Sequence, residues 1–264
     1  MLTYLTKNDF RREFIYLRDL VYELVARDMK QRYKRSVLGF AWTLLTPLFL
    51  FLVFQFLFQF VLKVEIPRFG PYAFSGLLVY GWFQGAIIQS SADITGSREL
   101  VIRPGFPAYI LPVVTVTTHF IYFLLAFSAF ILFLLFFGQG VKWSVLFLPL
   151  IFPFQFILIL SLSYLVASAN VFFRDTQHIV VLIFQLLLFL SPIFYEAKAV
   201  PEMYQRLYNL NPLVHLLDAY RTLLFGGLLF DWVPILVIGI FALALLSFSL
   251  NVFLKMRFRF VEEL

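Results

Sequence analysis

Residues 27–47 read RDMKQRYKRSVLGFAWTLLTP. The first nine positions carry Arg27, Lys30, Arg32, Lys34 and Arg35, and no charged residue then occurs from 38 to 62. Crossing a hydrocarbon core of ~30 Å takes about 20 helical residues, so the uncharged run is long enough for one membrane span with some tilt. Lys and Arg cost roughly 2.5 to 3.5 kcal/mol each at the centre of an inserting helix, which keeps the basic collar at the water interface and marks its side as the cytoplasm. One reading of the collar is a topology signal that also attracts anionic headgroups. The other is a phosphate site. The planar fork of arginine suits phosphate oxygens and Tyr33 and Ser36 add hydroxyls, so that Arg27, Lys30, Arg32, Tyr33, Lys34, Arg35 and Ser36 would hold the headgroup of a phosphorylated lipid.

Working outward, Phe10, Phe14, Leu17, Val21 and Leu24 recur at helical spacing, with Arg11, Arg12, Arg18 and Asp19 elsewhere, and Thr6 with Asp9 fits a capping box. This predicts an amphipathic helix over about 6–28 that is too charged to span and lies in the membrane interface. Beyond residue 62, uncharged stretches follow at 71–92, 104–141, 143–173, 176–195 and 232–254. Each accommodates one span, the third starting near Ala108 because Pro104, Pro107 and Pro112 break its front. Six spans put both termini on one side. Fifteen of the 21 Lys and Arg fall on that side and six on the other, so the termini are assigned to the cytoplasm.

The composition agrees. The chain is 62% hydrophobic and 14% charged, against about 45–50% and 25% in ordinary soluble domains, so it is read as an integral membrane protein. The absence of cysteine excludes disulfides, thiolate metal sites and cysteine nucleophiles. The polar, basic start lacks the pattern of a cleaved signal peptide. The expected fold is an all-α membrane protein, a single transmembrane domain over 1–264, with 1–37 as interfacial helix and collar, 38–254 as the six-span core and 255–264 as a cytoplasmic tail anchored by Lys255, Arg257 and Arg259.

The order Arg27, Asp28, Arg32, Tyr33, Lys34, Ser36, Leu38, Gly39, Trp42, Pro47 resembles the N-terminal signature of ABC transporter permeases that export lipid-linked polysaccharides, namely O-antigen, capsule and teichoic acid. Asn170 to Asp175, and then Ser191, Pro192, Ile193, Phe194, Tyr195, Val200, Pro201, Asn211, Pro212 and Arg221, resemble the same family in the same order. The resemblance covers nearly the whole chain. It implies a homodimer in a bacterial inner membrane with two ABC ATPase subunits beneath it. It also implies a short coupling helix between spans two and three, where Arg98, Glu99, Leu100, Val101 and Arg103 lie, and an outer gate around Pro192, Tyr195, Pro201, Asn211, Pro212 and Arg221. From the residues alone, 93–107 is equally a solvated connector. The stretch after span five is too polar in places to span and too apolar for a free loop. Asn211 is a natural N-cap with Pro212 at the first helical position, and two short helices dipping into the outer leaflet are expected.

Within the spans the polar residues are amides, hydroxyls and one histidine. Thr115, Thr118, His119 and Tyr122 share a face and read as interhelical packing. In spans one, two and five, Phe51, Phe54, Gln55, Phe58, Gln59, Tyr80, Trp82, Phe83, Gln84, Gln185, Phe189 and Tyr195 mix rings with hydrogen-bonding groups, which suits a path for sugars. The alternative for each is a ring facing lipid or a neighbouring helix.

No Gly is followed by Lys, so no P-loop is present, and ATP and Mg belong to a partner subunit. No cofactor or metal is expected in this chain, since its three His are scattered and no H-E-x-x-H or paired-carboxylate motif occurs. That argues against a membrane glycosyltransferase or phosphatase. The expected function is therefore outward movement of polyprenyl-pyrophosphate-linked polysaccharide, O-antigen first, with no nucleic-acid partner. Two rivals stand: an ABC permease for another lipid or drug, and an ATPase-independent channel or secondary carrier.

Overall fold

A computed structural model describes residues 7–32, 34, 41–61, 69–136, 142–226 and 231–264, and among these every regular element is a helix. The first helix, α1, runs Lys7–Arg32, four residues beyond the expected end at 28, and so carries Arg27, Lys30 and Arg32 of the collar. Its distal half does not lie free: Leu24 and Val25 are buried against Ile110 and Val114, with Leu17 and Val21 packing alongside. Phe14 is left 62% exposed. The expected capping pair Thr6 and Asp9 falls outside what the structure describes in side-chain detail.

α2 covers Trp42–Gln55 and continues as a π-helical turn over Phe56–Val61. α3 is Phe69–Ser91. Two single-turn helices follow, α4 at Asp93–Gly96 and α5 at Arg98–Val101, and Gly105 closes the segment in a left-handed turn, φ 82°. α6, Ile110–Phe136, starts two residues beyond the expected point, and Pro112 sits in its first turn, where a missing N–H costs no hydrogen bond. The next stretch is not one α-helix. It enters as a 3-10 helix over Trp143–Leu150, which contains Pro149, and becomes α7 at Phe152–Phe172, with Pro153 in the opening turn. α8 spans Thr176–Leu190. After a short 3-10 turn at Ala197–Ala199 come α9, Glu202–Tyr208, and α10, Pro212–Arg221, which ends in a π turn over Thr222–Gly226. α11, Trp232–Glu263, runs unbroken through the basic tail.

Among the described residues, three helical stretches are long and apolar enough to cross a bilayer, Ile110–Phe136, Trp143–Phe172 and Trp232–Glu263, and Thr176–Leu190 is a shorter apolar helix. α3, α6 and α7 enclose the main core. There the Trp82 ring stacks on Phe123 at 4.9 Å, and Phe123 meets Phe152 edge-on at 5.6 Å. Lipid tails are as apolar as these side chains, so packing and hydrogen bonds rather than water exclusion hold such helices together. Close approach helps. Gly239 of α11 lies directly under the Phe154 ring of α7, where a Cβ has no room.

A second cluster joins the ends of these helices. Ile94 and Val101, from the two short helices, are buried with Leu111, Tyr164, Phe253 and Phe260, and the Tyr164 hydroxyl donates to the Tyr109 carbonyl at 2.8 Å. Residues 93–101 are therefore a packed platform across the ends of α6, α7 and α11.

Candidate functional site

The collar divides. Arg27, Lys30 and Lys34 follow one another at three and four residues and, with Tyr22 and Glu23, line a surface recess of about 660 Å³. Arg27 also touches the Asp28 carboxylate at 3.4 Å, an exposed pair of little energetic weight. Arg32 points elsewhere. Its guanidinium lies over the Tyr122 ring, 4.8 Å from the centroid, at a separate cavity of about 380 Å³ between α2, α3 and α6. Tyr33, Arg35 and Ser36 lie outside the described residues.

That cavity gathers residues expected to do different work. Tyr80, Trp82 and Gln84 from α3, placed on the sugar path, line it together with His119 and Tyr122 from α6, placed in packing. Two glycines make the space. A Cβ at Gly81 would meet nothing within 4 Å, whereas one at Gly85 would sit 3.0 Å from His119 Nδ1. The Trp82 ring stacks on Phe123 and lies tilted against Phe120, and its buried indole N–H has no acceptor among the described residues. A cation, an imidazole and an amide around one otherwise largely apolar hollow suit an oxygen-rich, anionic guest.

Phe83 faces the other side of α3. With Tyr195 it lines a larger, almost wholly apolar groove of about 930 Å³ bounded by α7, α8, α9 and α11. Gln185 and Phe189 lie on the outward face of α8, together with Leu182 and Leu186. The Tyr80 hydroxyl donates to the Phe184 carbonyl, which ties α3 to α8. The side chains of Phe51, Phe54, Gln55, Phe58 and Gln59 lie outside the described residues. The structure thus brings Tyr80, Trp82 and Gln84 together with Arg32, and separates them from Phe83, Gln185, Phe189 and Tyr195.

On the platform Arg98, Glu99 and Arg103 are exposed, while Leu100 is half-buried and Val101 buried. The charged side chains face out and the apolar ones secure the segment. Asp93 turns inward as well. Its Oδ1 accepts from the Thr115 hydroxyl at 2.7 Å, and burial pushes its carboxyl up to about 8, against the pull of that hydrogen bond.

At the opposite end, α10 is fixed by its own sequence. Asn211 Oδ1 accepts from the Leu213 N–H at 3.0 Å, which caps the helix as Pro212 starts it. Asn211 Nδ2 also donates to Ser191 Oγ at 3.1 Å. The Tyr220 hydroxyl donates to Gln155 Oε1 at 2.9 Å, and Gln155 Nε2 donates to the Val79 carbonyl at 3.2 Å. Arg221, 8% exposed, donates to the carbonyls of Pro192, Ile193 and Tyr72 and stacks 3.5 Å over the Tyr72 ring. Every one of Leu213, Val214, Leu216, Leu217, Ala219 and Tyr220 is buried, whereas α9 buries none of its residues. The Tyr195 hydroxyl donates to the Phe189 carbonyl at 3.0 Å and receives the Tyr208 hydroxyl at 3.3 Å; Pro201 is exposed at the head of α9.

Sequence reasoning missed Asp93 as more than a loop residue, and Gln155 altogether. A lone amide inside an uninterrupted apolar run was the available signal for the latter.

The arrangement is a bundle of long apolar helices with an open, mostly apolar hollow that carries a few polar groups, and a packed platform at one end. Residues 19–225 match the ABC-2 type transporter family, and the chain is a membrane permease of that family, a transport subunit and not an enzyme. It is 32% identical over 255 residues to the O-antigen export system permease protein RfbA of Myxococcus xanthus, covering 96% of this chain and 98% of that one. It is 30% identical over 251 residues to the protein of that description from Klebsiella pneumoniae, covering 94% and 96%. The polysialic acid transport protein KpsM of Escherichia coli is 23% identical over 245 residues, 87% of this chain and 90% of that one.

Proposed function

We propose that the chain is the permease of an ATP-driven exporter that carries polyprenyl-pyrophosphate-linked polysaccharide, with O-antigen the first candidate, across a bacterial inner membrane. In this reading two copies form the conduit, six spans each, with termini in the cytoplasm and one ABC ATPase under each copy. The observation that carries it is Arg32 at the mouth of a cavity lined by Gln84, Trp82, His119 and Tyr122. A phosphate-binding cation and sugar-compatible side chains share one hollow at the collar end of the bundle. The recess of Arg27, Lys30 and Lys34 supplies a second set of cations beside it. Exposed Arg98, Glu99 and Arg103 offer the ATPase a charged surface on a firmly packed base. The relatives at 30% identity or more are named for O-antigen export, which supports O-antigen as the first candidate.

Deleting the gene in its host and comparing surface glycan with lipid-linked glycan trapped inside tests the reading. Surface loss with internal accumulation, both reversed by the intact gene, is expected. Unchanged glycan in both places transfers the chain to export of another lipid or a drug, and transport by the purified permease alone in liposomes transfers it to the channel class. Within the restored strain, Arg32→Ala should lower surface glycan while the permease still retains its ATPase.

A further inference from the structure

Among the acidic residues of 93–103, Glu99 faces out and Asp93 faces in. Asp93 heads α4, is 9% exposed, accepts from Thr115 of α6 through Oδ1, and has the Ser90 hydroxyl of α3 as its other polar neighbour. The proposed role of the segment, contact with the ATPase through Arg98, Glu99 and Arg103, makes no use of this group.

The Thr115 end of the bond leads somewhere definite. Thr115, His119 and Tyr122 recur at four and three residues and so share one face of α6. His119 is pressed into the space Gly85 leaves on α3, its ring edge-on to Tyr122 at 6.0 Å. Tyr122 in turn carries the Arg32 guanidinium. The same three elements are joined a second time by apolar contacts. Leu24 and Val25 of α1 pack on Ile110 and Val114 of α6, and Leu100 and Phe106 close that cluster from the platform. Platform, α1 and the head of α6 thus form one packed body, and packed interiors are stiff. The Asp93–Thr115 bond is its buried polar contact.

We infer that Asp93 is a positioning residue that ties the ATPase-facing segment to the Arg32 cavity through Thr115. Displacement of residues 98–103 reaches α6 by this bond and repositions Tyr122 and Arg32. Because coupling between two sites is reciprocal for binding, a phosphorylated lipid seated at Arg32 shifts the platform and with it the partner's affinity for nucleotide. The inference rests on the proposed contact between the platform and the ATPase.

The test uses the permease–ATPase complex in phosphatidylethanolamine–phosphatidylglycerol vesicles, with a polyprenyl pyrophosphate as probe. Wild type, Asp93→Leu, Thr115→Val and Asp93→Asn are compared for ATPase retention, basal ATP hydrolysis and its response to the probe, and for surface glycan in the deletion strain. Asp93→Leu and Thr115→Val should retain the ATPase and basal hydrolysis while the response to the probe falls ~5-fold or more and surface glycan falls with it. Asp93→Asn keeps an acceptor for Thr115 and should restore both. A merely structural role would instead lower retention and hydrolysis together and leave the response per complex unchanged, which overturns the inference. An Asp93→Asn variant as defective as Asp93→Leu overturns it too. Should Asp93→Leu fail to assemble, Thr115→Val, which removes one hydroxyl, decides alone. A permease with Arg98→Ala and Arg103→Ala separates the two levels: full ATPase retention there sinks the docking reading and the route built on it, whereas lost retention with a normal probe response in Thr115→Val sinks only the role of Asp93.

Discussion

Gly81 and Gly85 sit four residues apart on α3, yet the space beside them differs, and that difference makes the cavity testable. A Cβ at Gly81 enters open space, while one at Gly85 reaches His119 at 3.0 Å. Gly81→Ala should therefore leave folding and export unchanged. Gly81→Leu should fold equally well but fill the cavity, and surface glycan should drop several-fold at normal permease levels. Export at the wild-type rate through a Gly81→Leu permease would remove this hollow from the transport route. Gly85→Ala should act differently, displacing the imidazole toward Tyr122 and Arg32 and reducing export without blocking the space. Asp93 makes a second prediction at this scale. Burial raises its folded-state value to about 8, from an unfolded value of roughly 3.9. The folded state then holds the extra proton between those two values, so the carboxyl imposes no penalty below the lower one, and stability is lost as pH rises through the window up to the raised value. Asp93→Asn abolishes that titration. Its unfolding midpoint relative to wild type should climb from pH 4 to 8 and level off above; a gap constant with pH would show that the carboxyl is ionised throughout.

The helix most completely specified by local chemistry is α10, and there sequence and structure coincide. Asn211 as cap and Pro212 as first residue were legible, because capping depends only on neighbours in the chain. What holds α10 in place was not legible. Arg221 meets Pro192, Ile193 and Tyr72, residues up to 149 positions away, and no spacing rule encodes such a meeting. Two costs follow from the two kinds of contact. Asn211→Ala removes a cap and one side-chain bond and should cost about 1 kcal/mol. Arg221→Met strips the donor from three carbonyls and should cost roughly 3 kcal/mol or more, since each buried orphan carries about 1 to 3. Apparent unfolding midpoints in detergent should rank wild type, Asn211→Ala, Arg221→Met in falling order, and the reverse order of the two variants would mean that Arg221 is not the anchor. Gly76→Ala should resemble the arginine variant, because its Cβ would lie 2.7 Å from the guanidinium. The collar shows the opposite balance. Its basic residues were obvious, but whether each faces the recess or the cavity depends on how α1 docks on α6, which apolar spacing alone left open.

For the molecule as a whole, the proposed pairing of two copies turns on which surface they would share. α8 carries an outward stripe of Ile179, Leu182, Ile183, Leu186 and Phe189, with Gln185 among them, and α11 carries another at Val233, Leu236, Val237 and Ile240. Both suit lipid, and composition does not separate them. The amide does. Gln185 has hydrogen-bonding capacity that hydrocarbon cannot meet, so the α8 stripe is better matched to a protein seam or a sugar-bearing path than to acyl chains. A closed two-fold pair would set the stripe against its own copy, since each residue then meets the same surface around the axis. The native chain contains no cysteine, so a single introduced thiol reports its own neighbours without background. Leu186→Cys and Phe189→Cys should give covalent dimers in native membranes on brief oxidation or with a short bis-maleimide, and Ile240→Cys should remain monomeric under identical treatment. Added lipid-linked glycan should slow the reaction at Phe189→Cys if the path runs along the seam. Cross-linking at Ile240 with none at Leu186 or Phe189 would place the two-fold contact on α11 instead, and Gln185 and Phe189 would then have to be withdrawn from the sugar path.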